Sequence, residues 1–404
     1  MKYTLIIGGG AAGLMAAIQA RRAGEVVTVL EAGKKPAAKI YATGNGRCNF
    51  TNTDFSEGVF RGFHPEFADR AFHKFDNEAL IAYFKTLGIF PRDINGYIYP
   101  FSLQASSVAL ALVRECEELG VNIYCDSPVI DIKIDEDGLK AVTENNIFRG
   151  DKMIITCGGK AGNASKLKTD MYKTLKKLGI GILRPMPALV NLKYSDKDLA
   201  VLAGVRARAG VRLLIDGNQV SAENGEIIFN KDNINGIPVM QLSRFAAYAL
   251  NEKKSVTLKL DFASGFGESE FYDYLRGLFY GKESGHKNVY DLLSGLLNDK
   301  LLTVILKRSG INTNKAANKL KPQSLDDLVQ TIRCFGIDIK QTGSFENAQV
   351  TAGGVSTEEI GDDMQSKIIP GMFFAGEIID IDGTCGGYNL QWAFTSGYIA
   401  GGGK

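Results

Sequence analysis

Tyr3-Thr4-Leu5-Ile6-Ile7 runs straight into Gly8-Gly9-Gly10-Ala11-Ala12-Gly13, and a second apolar run, Val26-Val27-Thr28-Val29-Leu30, closes on Glu31. The spacing predicts strand, helix (Leu14 to Arg22) and strand, a βαβ unit of about thirty residues. Each glycine has a physical task. Gly8 permits the tight turn after the strand, Gly10 lets backbone approach a pyrophosphate, and Gly13 lets the helix lie close on the sheet. The helix start presents unpaired N–H groups and a positive dipole end to phosphates. Glu31 stands where a carboxylate accepts hydrogen bonds from a ribose diol. The stretch predicts a dinucleotide site.

Further glycine-bearing segments lie far along the chain. A polar loop from Gly33 to Thr53 contains Gly44-Asn45-Gly46-Arg47-Cys48-Asn49; long ordered loops of this kind usually serve function. The strand Met153–Thr156 ends in Thr156-Cys157-Gly158. Another strand, Met372–Ala375, ends in Gly376-Glu377, and Asp382-Gly383-Thr384-Cys385-Gly386-Gly387-Tyr388-Asn389-Leu390 then opens a helix. One ligand explains all four, namely FAD. The βαβ unit takes its adenosine half, and the Thr-x-Gly strand packs beneath the site. The Gly376-Glu377 pair reaches its middle. The helix start at Gly386–Asn389 offers N–H groups to the pyrimidine edge of the flavin. No second strand–GxGxxG–helix exists, so a nicotinamide reductant, NADH or NADPH, would bind transiently over the flavin. Since both ends of the chain carry site-like residues, the C-terminal segment is expected to complete the N-terminal domain after a long insertion.

Bulk properties agree with a soluble enzyme. At 404 residues the chain exceeds the roughly 250–300 at which single cores stop growing. Its apolar and charged fractions, 45% and 23%, are ordinary. A net charge of +2 gives no basic footprint, so no nucleic-acid partner is expected. Six scattered cysteines without a CxxC pair suit a reducing cytoplasm. His64, His73 and His286 lack ligand spacing, so no metal is expected. No apolar run of 18 or more residues calls for a membrane. The localisation expected is cytoplasmic and the partner a small-molecule substrate; nothing sets the oligomeric state.

Between the glycine-rich ends, helices are expected over Glu66–Phe75, Glu78–Leu87 and Ser106–Leu119. Short strands should follow at Val121–Cys125, Val129–Ile134 and Leu139–Thr143. From about Pro185, strands at Leu189–Leu192, Val205–Ala209, Val211–Ile215 and Glu226–Phe229 suggest a β-rich insert. Met240 to about Ile339 reads as mainly helical, broken by one strand at Val256–Leu260.

Gly44-Asn45-Gly46-Arg47-Cys48-Asn49-Phe50-Thr51-Asn52 resembles the Gly-Arg-Cys-Asn-Phe-Thr-Asn signature of bacterial NAD(P)/FAD-dependent oxidoreductases of the BaiN type, also called the aminoacetone oxidase family. Thr351-Ala352-Gly353-Gly354-Val355 and the segment from Gly376-Glu377 to Ala393 resemble it too, as do Pro187–Val190 and Gly225–Phe229 in the middle. The resemblance spans nearly the whole chain. It departs at Lys168-Thr169-Asp170-Met171-Tyr172, where the family has Thr-Gly-Asp-Gly-Tyr, and again at Asn230–Pro238. It implies an α/β fold: a Rossmann-like, glutathione-reductase-like FAD-binding domain (1–187 and 345–404). That domain would be interrupted by a β-barrel-like domain (188–255) and a mainly helical domain (256–344).

The cofactor-binding residues expected are Gly8, Gly10, Ala11, Ala12, Gly13, Glu31, Ala32, Lys39, Asn45, Gly46, Arg47, Cys48, Asn49, Val129, Thr156, Gly158, Gly376, Glu377, Asp382, Gly387, Tyr388, Asn389 and Leu390. The planar fork of Arg47 suits phosphate or flavin carbonyl oxygens. Trp392 reads as core packing, and Cys48 as a small residue in a tight loop rather than half of a redox pair. No residue is assigned to catalysis. The expected activity is FAD-dependent oxidoreduction by hydride transfer on a small organic substrate. The alternatives are an FAD protein that modifies tRNA, and a flavin-binding redox sensor without turnover.

Overall fold

The computed structural model describes residues 1–136, 138–162, 169–281, 284 and 287–403; Lys168 and His286 lie outside them. It divides into two compact units, 1–186 with 350–404, and 187–349.

The first unit is built on a five-stranded sheet in the order Met372–Phe374, Lys152–Ile155, Tyr3–Ile7, Val26–Leu30, Asn122–Tyr124. Every pairing in it is parallel. Parallel strands need cover on both faces, which is why Leu5, Ile6, Val27, Val29, Met153 and Ile154 are all buried. The helix after the fingerprint spans Ala11–Arg22, starting three residues earlier than its apolar periodicity indicates. Its small side chains, Ala12, Ala16 and Ala17, are buried. The C-terminal helix Tyr388–Gly401 lies against it. A Cβ on Gly397 would stand 2.4 Å from the Ala12 carbonyl oxygen, and one on Gly401 would stand 2.6 Å from that of Ala16. Only glycine admits so close a crossing.

The expected helices form as Glu66–Phe72, Asn77–Thr86 and Ala105–Glu118. Between the last two, a hairpin of Pro91–Ile94 and Tyr97–Pro100, which the pattern does not announce, pairs with Thr51–Asn52. Thr351–Val355 is a fully buried strand, Val350–Val355.

The second unit is a closed barrel of six strands: Leu192–Tyr194, Asn233–Asn235, Asn218–Phe229, Arg206–Ile215, Val256–Asp261 and Phe335–Thr342. Helices Ile237–Asn251, Glu268–Tyr280, Asp299–Arg308 and Pro322–Arg333 share its hydrophobic core, in which Leu258, Phe271, Ile305 and Leu328 meet. Three readings are corrected here. The helical reading up to Ile339 misses the strand Phe335–Thr342, whose Phe335, Ile337 and Ile339 alternate inward with the barrel period of two. Val205–Ala209 and Val211–Ile215 are one strand, because Gly210 continues the ladder opposite Asn224 and Asp261 instead of turning. Leu189 has φ 49°, so the strand expected at Leu189 begins only at Leu192.

Candidate functional site

Register decides which residues meet. Ile7 stands opposite Leu30 and Ile155, and Ile155 opposite Phe374. The residues that follow these four, Gly8, Glu31, Thr156 and Ala375, therefore share one row at the carboxyl edge of the sheet. That edge is where open parallel sheets bind ligands. Gly8 has φ 106°, and a Cβ there would come 2.6 Å from the Thr156 carbonyl. Thr156 Oγ1 donates towards the carbonyls of Ile7 (3.0 Å) and Gly8 (2.8 Å), fastening the turn from below. A Cβ on Gly13 would stand 1.9 Å from the Gly8 oxygen, whereas one on Gly10 meets nothing within 4 Å. So Gly13 is needed for packing, and Gly10 leaves open the space a pyrophosphate would approach. Gly10 is also the N-cap of the helix, which carries no side-chain cap; Ala11 and Ala12 form its first turn.

The acids are held by backbone. Glu31 accepts from Gly9 N–H (2.7 Å) and Gly33 N–H (2.6 Å), one on each oxygen. Each oxygen keeps a lone pair for a ribose hydroxyl. Glu377 accepts from Thr351 N–H at 2.8 Å, and its other oxygen pairs with Lys39. Gly376, at φ 78°, donates its N–H to Ser396 Oγ (2.8 Å), and its carbonyl accepts from Trp392 Nε1 (3.2 Å). Trp392 is thus a buried strut under the turn. Asp380, fully buried, accepts from Phe63 N–H (2.7 Å) and Gly353 N–H (3.0 Å).

Glu31, Ala32, Val129 and Gly158 line a cleft with Gly8. Further residues complete its wall: Cys157, Gly159, Lys160, Thr169, Asp170 and Tyr172. Sequence reasoning did not place them there. Cys157 stood within the Thr156-Cys157-Gly158 strand end without being assigned a contact, and the departure at Lys168–Tyr172 marked that stretch without saying where it folds. Lys160 pairs with Asp170 at 2.8 Å. Burial pushes the Cys157 thiol up to about 12, and the charges of Glu377, Asp170 and Glu31 add to it. The cleft around Cys157 is therefore rich in carboxylate acceptors.

The Gly44–Asn52 loop approaches the start of the C-terminal helix. Asn52 donates to the Gly386 carbonyl at 2.9 Å. A Cβ on Gly387 would stand 1.9 Å from Asn49 Oδ1, and Gly387 is the helix N-cap with φ 91° and no side-chain cap. Both polar atoms of the Asn49 amide are buried without a hydrogen-bond partner among the described residues. A buried donor and acceptor left bare cost about 1–3 kcal/mol each, and they stand beside free helix N–H groups. The imide edge of a flavin, an N–H between carbonyls, complements that set. With the open face of Gly10 and the cleft, the residues present fit FAD.

Other expected ligands have different surroundings. Asn45, Gly46 and Arg47 are exposed, on and just after the tight turn Thr43–Gly46. Arg47 makes no ion pair among the described residues. Asn389 uses its amide to hold the Gly383 backbone (2.8 and 2.9 Å). Asp382 is buried in a short strand paired with Phe60–Arg61. Tyr388 packs between Phe55 and Phe60, and Leu390 lies half-buried against the core. Among the described residues no group of three or more His, Cys, Asp or Glu could hold a metal. No helix there is long and apolar enough to cross a membrane.

Cys48 is fully buried, and burial pushes its thiol up to about 12 from 9.0. It is expected to resist alkylation in the native protein at pH 8, measured by mass spectrometry after iodoacetamide; rapid labelling would contradict the packing. Because the folded value lies above the unfolded one, the stability due to the protonated thiol is complete below pH 9.0 and is lost as pH climbs towards 12.

A family model described as "HI0933-like protein Rossmann domain" matches residues 2–403. The chain is similar to the 3-dehydro-bile acid delta(4,6)-reductase of Clostridium scindens, 38% identical over 402 residues, 98% of this chain and 97% of that protein. It is also similar to the ribosomal RNA dihydrouridine synthase of Escherichia coli, 28% identical over 406 residues, 98% and 96% of the two chains. Among solved structures, the 3-ketosteroid-delta4-(5alpha)-dehydrogenase of Rhodococcus jostii RHA1 aligns with a TM-score of 0.46 at 15% identity, covering 99% of this chain and 96% of that one.

Proposed function

We propose that this chain, which belongs to the HI0933-like family of FAD-binding Rossmann oxidoreductases, is a reductase of carbon–carbon double bonds conjugated with a carbonyl. NAD(P)H would serve as transient reductant and a small organic molecule as substrate. The interrupted unit, 1–186 with 350–404, would hold the cofactor. When bound, FAD supplies hydride chemistry at its N5 position. The protein's own residues bind and orient. The Gly8–Gly13 turn and helix start receive the pyrophosphate, Glu31 the ribose, and Glu377 with Lys39 the middle of the molecule. The Asn49 amide and the head of the C-terminal helix take the imide edge. The bare Asn49 amide is the observation that carries the flavin assignment. It needs a partner that offers a donor and an acceptor side by side; a phosphate offers acceptors alone, whereas the imide edge of a flavin offers both.

The reaction class draws on the relatives. The reductase of C. scindens is named for a delta(4,6) reduction on a 3-dehydro (that is, 3-oxo) substrate. The E. coli relative is named for dihydrouridine in ribosomal RNA. Both names describe hydrogen added across a carbon–carbon double bond conjugated with a ring carbonyl. The RNA name also favours a second reading, in which uridine in ribosomal RNA is the substrate.

Anaerobic mixing of the reconstituted protein with NADH and with NADPH is expected to bleach the flavin. A 3-oxo-4,6-diene steroid acid should then restore the colour with loss of its own chromophore. Recovery by unmodified ribosomal RNA alone would select the second reading. Bleaching by neither nucleotide would remove NAD(P)H as reductant, and recovery by neither acceptor would remove the substrate class.

A further inference from the structure

Tyr172 lines the cleft together with Gly8, Glu31 and Cys157. Its side chain is buried against the core, 6% exposed. Its hydroxyl oxygen is buried without a hydrogen-bond partner among the described residues. The Lys160 ammonium stands 5.7 Å from the ring centroid; it donates not to the phenol but to Asp170. A hydroxyl taken out of water and left unbonded is destabilising, and its place on the cleft wall offers a bound molecule the chance to satisfy it. Neither the pattern of the chain nor its relatives assign the residue a role.

We propose that the Tyr172 hydroxyl is a cofactor-binding donor, which hydrogen-bonds a sugar hydroxyl oxygen of bound FAD; the inference rests on the flavin reading above. The chemistry of the surroundings selects the acceptor. Glu31, Asp170 and Glu377 offer only acceptors to this region. A phosphate oxygen would also only accept, and would be repelled by them. A sugar hydroxyl can take the phenol's hydrogen and pass its own to a carboxylate, so both ends of the chain of bonds are satisfied. Tyr172 remains a neutral donor, because burial first, and the Glu377, Cys157, Asp170 and Asp380 charges after it, hold its phenol well above the ordinary value. FAD carries such hydroxyls on its ribose and on its ribityl chain.

The test compares wild type with Tyr172→Phe as apoproteins, titrated with FAD, ADP and riboflavin and melted without ligand. The variant's FAD dissociation constant is expected to rise about tenfold, while its apo melting temperature stays level or rises. A matching loss for ADP assigns the ribose as partner, and one for riboflavin assigns the ribityl chain. An FAD affinity within about twofold of wild type would overturn the proposal. So would an apo variant that melts several degrees lower, which would show the hydroxyl already bonded in the empty fold. A wild-type protein that takes up no FAD would instead sink the function proposed above, so the two failures are distinguishable.

Discussion

Gly13→Ala is expected to abolish retention of FAD and to cost the apoprotein about 3 kcal/mol of stability. The added methyl would stand 1.9 Å from the Gly8 carbonyl oxygen and 2.8 Å from Thr156 Oγ1. The obstacle is backbone in a turn that is itself fastened, so relaxation means pulling the helix Ala11–Arg22 off the sheet or unwinding the turn. Either movement displaces the N–H groups expected to meet the pyrophosphate. Gly10→Ala separates the two effects. Its Cβ meets nothing within 4 Å, so apo stability should fall only by the cost of alanine at an N-cap, about 1 kcal/mol, while FAD affinity falls because the methyl occupies the approach to the phosphates. Urea denaturation and flavin absorbance after desalting report the two quantities. A Gly13→Ala protein that stays yellow would show that the turn is not the phosphate seat.

Asp380→Ala is expected to destabilise the protein by about 4 kcal/mol. The carboxylate is wholly buried and satisfies the N–H groups of Phe63 and Gly353; alanine leaves both bare at about 1–3 kcal/mol each. Close packing adds to the loss, since a Cβ on neighbouring Gly62 would stand only 2.4 Å from the Asp380 carbonyl oxygen. The segment around Gly62 thus has no room to slide into the gap. Asp380→Asn keeps one acceptor oxygen and should lose about half as much. Urea midpoints measure the series, and an alanine variant that unfolds at the wild-type midpoint would refute the argument.

The nucleotide half of the site was legible because its determinants are local. Gly8, Gly13 and Glu31 act through a turn, a packing distance and a strand end, each fixed by short-range spacing. The barrel was less legible. Gly210 and Gly225 look like breaks, yet Gly225 is paired with Ala209 inside a ladder and Gly210 with Asn224, and no local pattern distinguishes a strand glycine from a turn glycine. Phe335–Thr342 does alternate, but it directly follows the helix Pro322–Arg333, whose helical spacing is stronger. In the loop, Asn49 and Asn52 are chemically identical letters. Only tertiary structure shows that Asn52 is occupied with Gly386 and Asp54 while Asn49 is not. Tyr172 illustrates the remaining limit, since an unpaired hydroxyl is a property of what surrounds it.

The crossing of Gly397 and Gly401 over Ala12 and Ala16 has a consequence for biosynthesis. On the ribosome, the helix Ala11–Arg22 is translated long before Gly397 and Gly401, by on the order of tens of seconds at about 5–20 residues per second. Throughout that interval its alanine face has no cover and the edge of Lys152–Ile155 has no neighbour from Met372–Phe374. The stretch 187–349, by contrast, is contiguous. The five-stranded sheet and its covering helix are therefore expected to close only once residues 372–401 have been translated.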